Sequence, residues 1–496
     1  MHTGKLASAL AHQADLNGHA VAMSDHRRVL SRSELAAWVA GAAADLDPTS
    51  ETIGIFGENS IEWAVAFLAA SVAGKTIVPV PTFFSKEQRN HLIRDAGIDR
   101  IVVTDVKDLK DHTLPSPLHP LSQRRDAAPP IQARDGGLII YTSGSTGKPK
   151  GVRLASGQAL WSSTALAEAS NASAEDKYLS VLPLPMLLEL ICGIMIPVLV
   201  GGLVHYDGAV AQSVGAGTYS NIAEVFERTQ PTSSVFVPQL LALYVAQLSA
   251  SGRRPPETLR FIAVGGAPVP HALSLAAKKL GIPVYEGYGL SECASVVAVN
   301  RPGACREGSV GCPLPGLQIE IEDDEIIVQG PSVMDGYLHT DAAPRRWRTG
   351  DMGSLDPDGF LRIHGRYDNL ILTPYGRNVN PEWIETMLMG NPNIGASILC
   401  QVGNPAQLTV LLIPSRVGDS WFQTASECEI QSLVARGCEA APEYARPKGA
   451  IVVSREEAVH RGLFTPNGRI IRSEAARYVH DKATVSGCTE TVEEER

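Results

Sequence analysis

Residues 136–151 read GGLIIYTSGSTGKPKG, an apolar run that is followed from residue 142 by three glycines, four small hydroxyl side chains and two lysines. Glycines let backbone N–H groups turn toward a ligand, and hydroxyl and ammonium groups add hydrogen-bond donors. The stretch therefore predicts a polyphosphate site at the end of a buried strand. It is not a Walker A loop, because only two residues separate Gly144 from Gly147 and Pro149 follows the lysine.

On the N-terminal side of this loop, apolar runs alternate with helical patterns. TIGIFG (52–57), TIVPVP (76–81) and RIVVTD (100–105) are typical of buried strands, and SIEWAVAFLAASVAG (60–74) has the spacing of a helix. Strands that alternate with helices predict an α/β fold with parallel sheets. From about residue 308 the pattern changes, because LQIEIEDDEIIVQG alternates apolar and polar residues as half-buried antiparallel strands do.

Further motifs follow the loop in an order that resembles the adenylate-forming superfamily, which contains acyl-CoA synthetases, firefly luciferase and peptide-synthetase adenylation domains. YTSGSTGKPKG resembles its phosphate loop, and the resemblance covers nearly the whole chain. The other matching motifs are GENSIEW (57–63), GGAPVP (265–270), YGLSE (288–292), SVGCPLPG (309–316), WRTGD (347–351), GRYDNLI (365–371) and GRNVNPEWIE (376–385).

The resemblance implies a two-domain α/β protein. Residues 1–367 would form a large N-terminal domain of parallel or mixed sheets with flanking helices and a small β-barrel-like part, which binds ATP and the acid. Residues 368–485 would form a small mobile α+β domain that turns about a hinge at Asp368. The last residues, 486–496, read as a disordered acidic tail.

The resemblance also implies an AMP-forming acid–thiol ligase that uses ATP, Mg²⁺ and CoA or the phosphopantetheine of an acyl carrier protein. Catalysis would be mostly charge stabilisation and positioning, with Ser291 donating to the α-phosphate and Glu292 binding Mg²⁺. The expected phosphate ligands are Thr142, Ser143, Gly144, Ser145, Thr146, Gly147, Lys148 and Lys150. The expected adenosine ligands are Gly265, Gly266, Ala267, Pro268, Tyr288, Gly289, Asp351 and Arg366, the last of these for ribose or phosphate.

One motif departs from the superfamily pattern. Its PxxxxGK lysine is replaced here by Arg469, in FTPNGRIIR (464–472). Arginine keeps the positive charge but presents it as a planar fork. Three outcomes are open: Arg469 is the catalytic cation, another cation such as Lys448 replaces it, or adenylation is weak and the protein is mainly a nucleotide-binding homologue.

The acid is expected to lack an α-ammonium group. The segment LPLPMLLE (182–189) has Met186 and Leu187 where amino-acid-activating relatives carry an aspartate, and together with Glu189 these residues are the candidate acyl pocket. We therefore expect a fatty, branched or aryl acid and a role in fatty acid metabolism. The same pantetheine chemistry serves CoA and carrier proteins, so a freestanding enzyme that loads a carrier protein is the alternative.

The composition of the chain limits the classes of binding partner and the cellular compartment that we expect for this protein. The net charge of −10 argues against nucleic acid as the main partner. Eight scattered cysteines without a CxxC pair, and an N-terminus without a signal-peptide pattern, predict a cytoplasmic protein. The longest apolar run, 186–204, contains Glu189, Pro197 and a glycine pair, so it predicts a buried helix and strand rather than a membrane span.

Overall fold

The computed structural model describes residues 5–104, 117–118, 136–142, 149–215, 221–343, 345–373, 377–403, 406–464 and 470–490. The helices in this part of the chain are α1 Lys5–Asn17, α2 Arg32–Asp45, α3 Ile61–Val72, α4 Lys86–Asp95, α5 Ser156–Ala169, α6 Leu187–Leu190, α7 Ile196–Val200, α8 Gly208–Gly215, α9 Ile222–Thr229, α10 Pro238–Ser251, α11 His271–Leu280, α12 Pro381–Leu388, α13 Asp419–Thr424, α14 Glu427–Gly437, α15 Arg455–His460 and α16 Arg472–Glu490.

The strands are β1 Val21–Ser24, β2 Val29–Ser31, β3 Thr52–Phe56, β4 Thr76–Val80, β5 Arg100–Val103, β6 Pro117–Leu118, β7 Gly137–Thr142, β8 Lys150–Ala155, β9 Lys177–Ser180, β10 Leu203–Tyr206, β11 Ser233–Phe236, β12 Phe261–Val264, β13 Val284–Leu290, β14 Ser295–Val299, β15 Cys312–Pro313, β16 Gln318–Glu322, β17 Glu325–Gln329, β18 Gly336–Tyr337, β19 Arg346–Leu355, β20 Leu361–Arg366, β21 Ile371–Leu372, β22 Asn378–Val379, β23 Ile394–Val402, β24 Gln407–Pro414 and β25 Gly449–Val452.

A nine-stranded sheet forms the centre of the N-terminal part. Its order is β15-β14-β13-β12-β11-β9-β10-β1-β2. The six strands from β13 to β1 run parallel, and β14, β15 and β2 are antiparallel additions at the two ends. The carboxyl ends of the parallel strands therefore share one edge of the sheet, which is where ligands bind in open α/β sheets.

A seven-stranded sheet carries the glycine-rich loop. Its order is β18-β8-β7-β4-β3-β5-β6, and β7, β4, β3, β5 and β6 run parallel. Serine caps start the helices around it, with Ser60 accepting from the backbone N–H of Trp63 in α3 and Ser85 forming a capping box in α4. The alternation of strands and helices that was predicted on the N-terminal side of the loop is confirmed.

The predicted barrel-like part is an open sheet. Its four antiparallel strands have the order β16-β17-β19-β20, and in the described chain β16 and β20 are edges that do not pair with each other. The alternating pattern correctly predicted antiparallel strands. It could not predict closure, because alternation shows only that one face of each strand is buried.

Beyond residue 370 the chain packs around its own core. Antiparallel strands β23 and β24 and parallel β25 form a sheet whose two faces bury different residues, with Leu399, Val410 and Leu412 on one face and Ile398 and Leu411 on the other. The main core of the N-terminal part extends from Leu6 to Leu361. These separate cores support a boundary near 367/368, which stays a prediction.

Two further expectations can be compared with the described residues. The apolar run 186–204 forms α6, a π-helical turn Ile191–Met195, α7 and β10, and in the described residues no helix is long and apolar enough to cross a membrane. Helix α16 extends to Glu490, and the disordered tail expected for 486–496 stays a prediction. Residues 491–496 lie outside the described residues.

Candidate active site

The glycine-rich loop joins two paired strands. β7 and β8 run antiparallel, with Tyr141 opposite Gly151 and Thr142 opposite Lys150. A Cβ on Gly151 would lie 3.2 Å from the Tyr141 ring, so glycine lets this ring pack on the hairpin. The remaining predicted phosphate ligands lie outside the described residues: Ser143, Gly144, Ser145, Thr146, Gly147 and Lys148.

Tyr337 connects the hairpin to Glu292. Its strand β18 pairs with β8, and the ammonium of Lys150 lies 5.7 Å from the centre of the Tyr337 ring. The Tyr337 hydroxyl donates to Oε1 of Glu292 at 2.8 Å. Burial, and then the charge of Glu292, raise the pKa of Tyr337, so this hydroxyl stays protonated and remains a donor. Tyr337 therefore contacts both Lys150 of the β7–β8 hairpin and the predicted metal-binding carboxylate of Glu292.

The turn that carries Ser291 and Glu292 has an unusual backbone. Both residues are half-buried in the 3-10 turn Ser291–Cys293 after β13, and the two residues that follow this turn, Ala294 and Ser295, have φ angles of 49° and 86°. A Cβ on Gly289 would lie 1.7 Å from the carbonyl oxygen of Ser295, so only glycine fits where the chain doubles back. Such left-handed residues cost energy and cluster at functional sites.

Tyr288, Asp351 and Arg366 form a second polar group. The Tyr288 hydroxyl donates to Oδ2 of Asp351 at 2.6 Å, and Nε of Arg366 lies 3.2 Å from Oδ1 of the same carboxylate. Burial raises the pKa of Asp351, while Tyr288 and Arg366 lower it and the nearby carboxylates of Glu292 and Glu382 raise it. The two polar groups are therefore within electrostatic reach of each other.

The GGAPVP turn lies at the carboxyl end of β12. The backbone N–H of Gly265 donates to the carbonyl of Phe236 at 3.3 Å, and Gly266 has a φ of +82°. A Cβ on Gly265 would approach the carbonyl oxygen of Gly287 to 3.0 Å. Gly266, Ala267 and Pro268 are exposed beside β13, so this turn and Tyr288 lie on adjacent parallel strands at the same edge.

Helix α4 holds both ends of the glycine-rich loop, which the sequence did not suggest. Nε2 of His91 donates to the carbonyl of Pro149 at 3.2 Å, and the Tyr141 hydroxyl donates to Oδ2 of Asp95 at 2.7 Å. Nε2 of His339, two residues after Tyr337, lies 3.3 Å from Oδ1 of Asp95. A lone histidine or aspartate in a polar helix has no sequence signal that would reveal such contacts.

The predicted hinge is an exposed turn. Asp368 lies in the 3-10 turn Tyr367–Asn369 directly after β20. Asn369 donates to Glu382, and Arg472 donates to both carboxylate oxygens of Glu385 at 2.7 and 2.6 Å. These contacts tie the turn and the start of α16 to α12. The hinge role stays a prediction, and Arg469 lies outside the described residues.

The candidate acyl-pocket residues have different surroundings. Met186 is half-buried before α6, whereas Leu187 is buried and Glu189 is fully buried. Tyr178 donates to Oε2 of Glu189 at 2.8 Å, and burial raises the pKa of Glu189 to about 8. Glu189 is therefore a neutral core acid at pH 7, and only Met186 among the three has an accessible surface.

Glu292 fits a magnesium ion that a phosphate also ligates. In the described part of the chain no three or more His, Cys, Asp or Glu side chains form a group that could hold a metal ion by themselves. Mg²⁺ in nucleotide sites commonly takes only one or two carboxylates and completes its shell with phosphate oxygens and water. A half-buried carboxylate fixed by Tyr337 beside the phosphate hairpin suits that arrangement.

Comparisons with known proteins agree with this geometry. The family model described as "AMP-binding enzyme" matches residues 10–338. The chain is 30% identical over 409 residues to a 2-succinylbenzoate–CoA ligase from a Geobacillus species, which covers 76% of this chain and 78% of the relative. It is 28% identical over 378 residues to the Bacillus licheniformis enzyme of the same name, with 69% and 75% covered.

Solved structures show the same fold. The anthranilate CoA ligase AuaEII in complex with anthranoyl-AMP has a TM-score of 0.83 at 20% identity and covers 98% of this chain and 99% of its own. The o-succinylbenzoate CoA synthetase from Bacillus subtilis, in complex with ATP and magnesium, has a TM-score of 0.78 at 24% identity, with 94% and 98% covered.

Proposed function

The chain belongs to the AMP-binding enzyme family and is an AMP-forming acyl-CoA ligase, and we propose that it joins a fatty, branched or aryl acid to CoA in the cleft bordered by Glu292, Tyr288 and Asp351. The curated relatives are named for 2-succinylbenzoate, an aryl acid, which favours the aryl part of this range.

The reaction has two steps. A carboxylate oxygen of the acid attacks the α-phosphorus of ATP, and pyrophosphate leaves with the electrons of the broken P–O bond. The thiol sulfur of CoA then attacks the acyl carbon, AMP leaves, and the thiol proton passes to solvent. The first step brings two anions together, so it depends mainly on positioning and on cations and donors around the phosphates.

The residues on and around the β7–β8 hairpin would supply this charge stabilisation. Lys150 is a cation next to the predicted loop ligands, and Tyr337 holds the carboxylate of Glu292 toward the same region. When bound at Glu292, Mg²⁺ would neutralise negative charge on the triphosphate. The Ser291 hydroxyl lies one residue away and is our candidate donor to the α-phosphate. Arg469 is our candidate for the remaining cation.

The other polar group suits adenosine. Asp351 is an acceptor whose orientation is fixed by Tyr288 and Arg366, and a carboxylate held in this way can accept from both ribose hydroxyls. The Tyr288 ring and the exposed turn from Gly266 to Pro268 flank the same strand ends, where they would border the adenine.

The observation that carries the proposal is the contact of Tyr337 with both Lys150 and Glu292, in a chain of this family. The test is pyrophosphate release with ATP, Mg²⁺ and a panel of fatty, branched and aryl acids without thiol, followed by mass spectrometry after CoA or a carrier protein is added. Pyrophosphate release and an acyl-CoA product are expected. Tight ATP binding without pyrophosphate release for any acid would contradict the proposal.

A further inference from the structure

The carboxyl edge of the nine-stranded sheet has no cationic side chain along its four central strands. The segments that follow β9, β11 and β12 are VLPLPM (181–186), VPQLL (237–241) and GGAPVP (265–270), and β13 ends in GYGL (287–290). All of these residues are described. An acid that reacts beside Ser291 must approach along this edge, because ligands of parallel sheets bind at the carboxyl ends of the strands.

The lysines and arginines of this region lie elsewhere. Between Lys177 and Arg301 they are Arg228, Arg253, Arg254, Arg260, Lys278 and Lys279. Helices α10 and α11 start at the carboxyl edge and run back to the opposite edge before the next strand. Their C-terminal ends, which carry the pairs at 253–254 and 278–279, therefore lie away from the acid.

Ion pairs occupy the other arginines. Arg260 precedes β12 and pairs with Asp176, and Arg228 lies 3.2 Å from Asp207. The described α5 (156–169) and the 309–316 segment contain no lysine or arginine. Among the described residues, the segments at the carboxyl ends of β9, β11, β12 and β13 therefore offer no lysine or arginine to a second carboxylate.

Two histidines, His205 and His271, have side-chain partners of their own. Nδ1 of His205 lies 2.9 Å from the hydroxyl of Ser24, and burial lowers the pKa of His205, so its ring is neutral at pH 7. His271 is bound to the exposed carboxylate of Glu307. Glu189, the one carboxyl side chain between 181 and 200, is a fully buried neutral acid.

We propose that this edge selects a monocarboxylic acid whose body carries no second charge, and that it excludes dicarboxylates such as 2-succinylbenzoate, the acid named for the curated relatives. The inference rests on the proposed function. 2-Succinylbenzoate has two carboxylates, one on the ring and one on the succinyl arm, so whichever of them reacts, the other would lie at the edge. Placing that carboxylate at the edge would remove it from water without a cation to replace the water, which is strongly unfavourable.

The test compares acids that differ only in the second charge. Pyrophosphate release is measured with 2-succinylbenzoate and with each of its two monomethyl esters, and with adipate and hexanoate. The singly charged member of at least one pair should have a kcat/KM at least 100-fold above that of its dicarboxylate. If 2-succinylbenzoate is the better substrate, the inference is overturned while the proposed function stands. If no acid releases pyrophosphate, both fail.

A variant with an added cation at this edge provides a second test. Met186→Lys places an ammonium at the half-buried start of α6, and Met186→Gln is the uncharged control of similar length. Met186→Lys should raise the ratio of kcat/KM for 2-succinylbenzoate to that for whichever monomethyl ester is the better substrate at least tenfold, and Met186→Gln should leave the ratio unchanged. An unchanged ratio in Met186→Lys, with the variant still active on the ester, would overturn the assignment of this edge to the acid.

Discussion

The two sides of the proposed site are built from opposite kinds of side chain. On the nucleotide side, polar groups hold one another: Tyr337 links Lys150 to Glu292, and Tyr288 links β13 to Asp351. On the acid side, the strand ends carry apolar segments, and the ionisable Glu189 is buried and neutral. The difference indicates that the chemistry shared by the family is fixed by polar contacts, whereas the choice of acid depends on apolar shape and the absence of charge.

Loss of Glu292 should have the largest effect on the nucleotide side. Glu292→Ala is expected to slow pyrophosphate release roughly a thousandfold, about 4 kcal/mol, because the candidate metal ligand is removed. The melting temperature should change little, since Glu292 is only half-buried. Glu320→Ala, on the exposed sheet strand β16, is the matched control and should keep full activity. A normal rate of pyrophosphate release in Glu292→Ala would show that Glu292 is not the metal ligand of the nucleotide side.

The Arg469 substitutions test the remaining cation. Arg469→Ala should lower pyrophosphate release about a hundredfold, near 3 kcal/mol, by analogy with loss of one transition-state donor. Arg469→Lys should keep most of the rate, because the charge is retained. The acyl-transfer half-reaction, started from a supplied acyl-adenylate and CoA, serves as the internal control. If neither substitution alters pyrophosphate release, Arg469 has no role and Lys448 is the next residue to replace.

Removing one hydroxyl tests the link between the hairpin and the metal ligand. Tyr337→Phe keeps the ring beside Lys150 but removes the donor to Glu292, so the Mg²⁺ concentration needed for half-maximal rate should rise about tenfold, near 1.4 kcal/mol. Tyr444→Phe, an exposed tyrosine of the C-terminal part, is the control. An unchanged Mg²⁺ dependence would show that Tyr337 does not position Glu292.

The smallest effect on activity is expected at the buried acid, where stability should change instead. Native Glu189 has a pKa of about 8 against an ordinary 4.5, so between these values the native state holds a proton that the unfolded chain releases. Its contribution is therefore fully present below pH 4.5 and is lost as pH rises to about 8, by up to about 1.4 kcal/mol per pH unit.

Glu189→Gln removes this titration. The free energy of unfolding of Glu189→Gln relative to the unchanged protein, from urea denaturation at pH 5 to 9, should therefore rise with pH up to about pH 8. Glu168→Gln, at an exposed position of α5, controls for loss of a carboxylate. A difference that stays constant across this range would mean that Glu189 is ionised in the core and that the acid side is not neutral.

The sequence marked the polar side more clearly than the apolar side. The glycines, hydroxyls and lysines follow β7, which was predicted as a buried strand, and the YGLSE and RTGD motifs supply Tyr288 and Asp351, whose side chains are hydrogen-bonded at 2.6 Å. Such motifs can be recognised in a sequence because the chemistry of the site requires a particular residue type at each position.

Contacts between segments that are distant in the sequence could not be predicted from motifs in the same way. Tyr337, His91 and Asp95 act through partners far along the chain, and nothing local marks them. Likewise, Glu189 was expected near the acyl pocket from its neighbours in sequence, but its partner Tyr178 lies on β9, and this pairing allows the carboxyl group to be buried in the core. The part predicted as barrel-like is an open sheet, and the sequence could not show this because closure depends on which edges meet.

The central claim is that Glu292 and the hairpin at 142–150 face one triphosphate–magnesium pocket. A crystal structure of the protein with ATP and Mg²⁺ tests it most directly. The account predicts a carboxylate oxygen of Glu292 about 2.1 Å from the metal ion, with the triphosphate lying between that ion and Thr142 and Lys150. ATP bound away from this hairpin, or a metal ion without Glu292 in its coordination shell, would contradict the account.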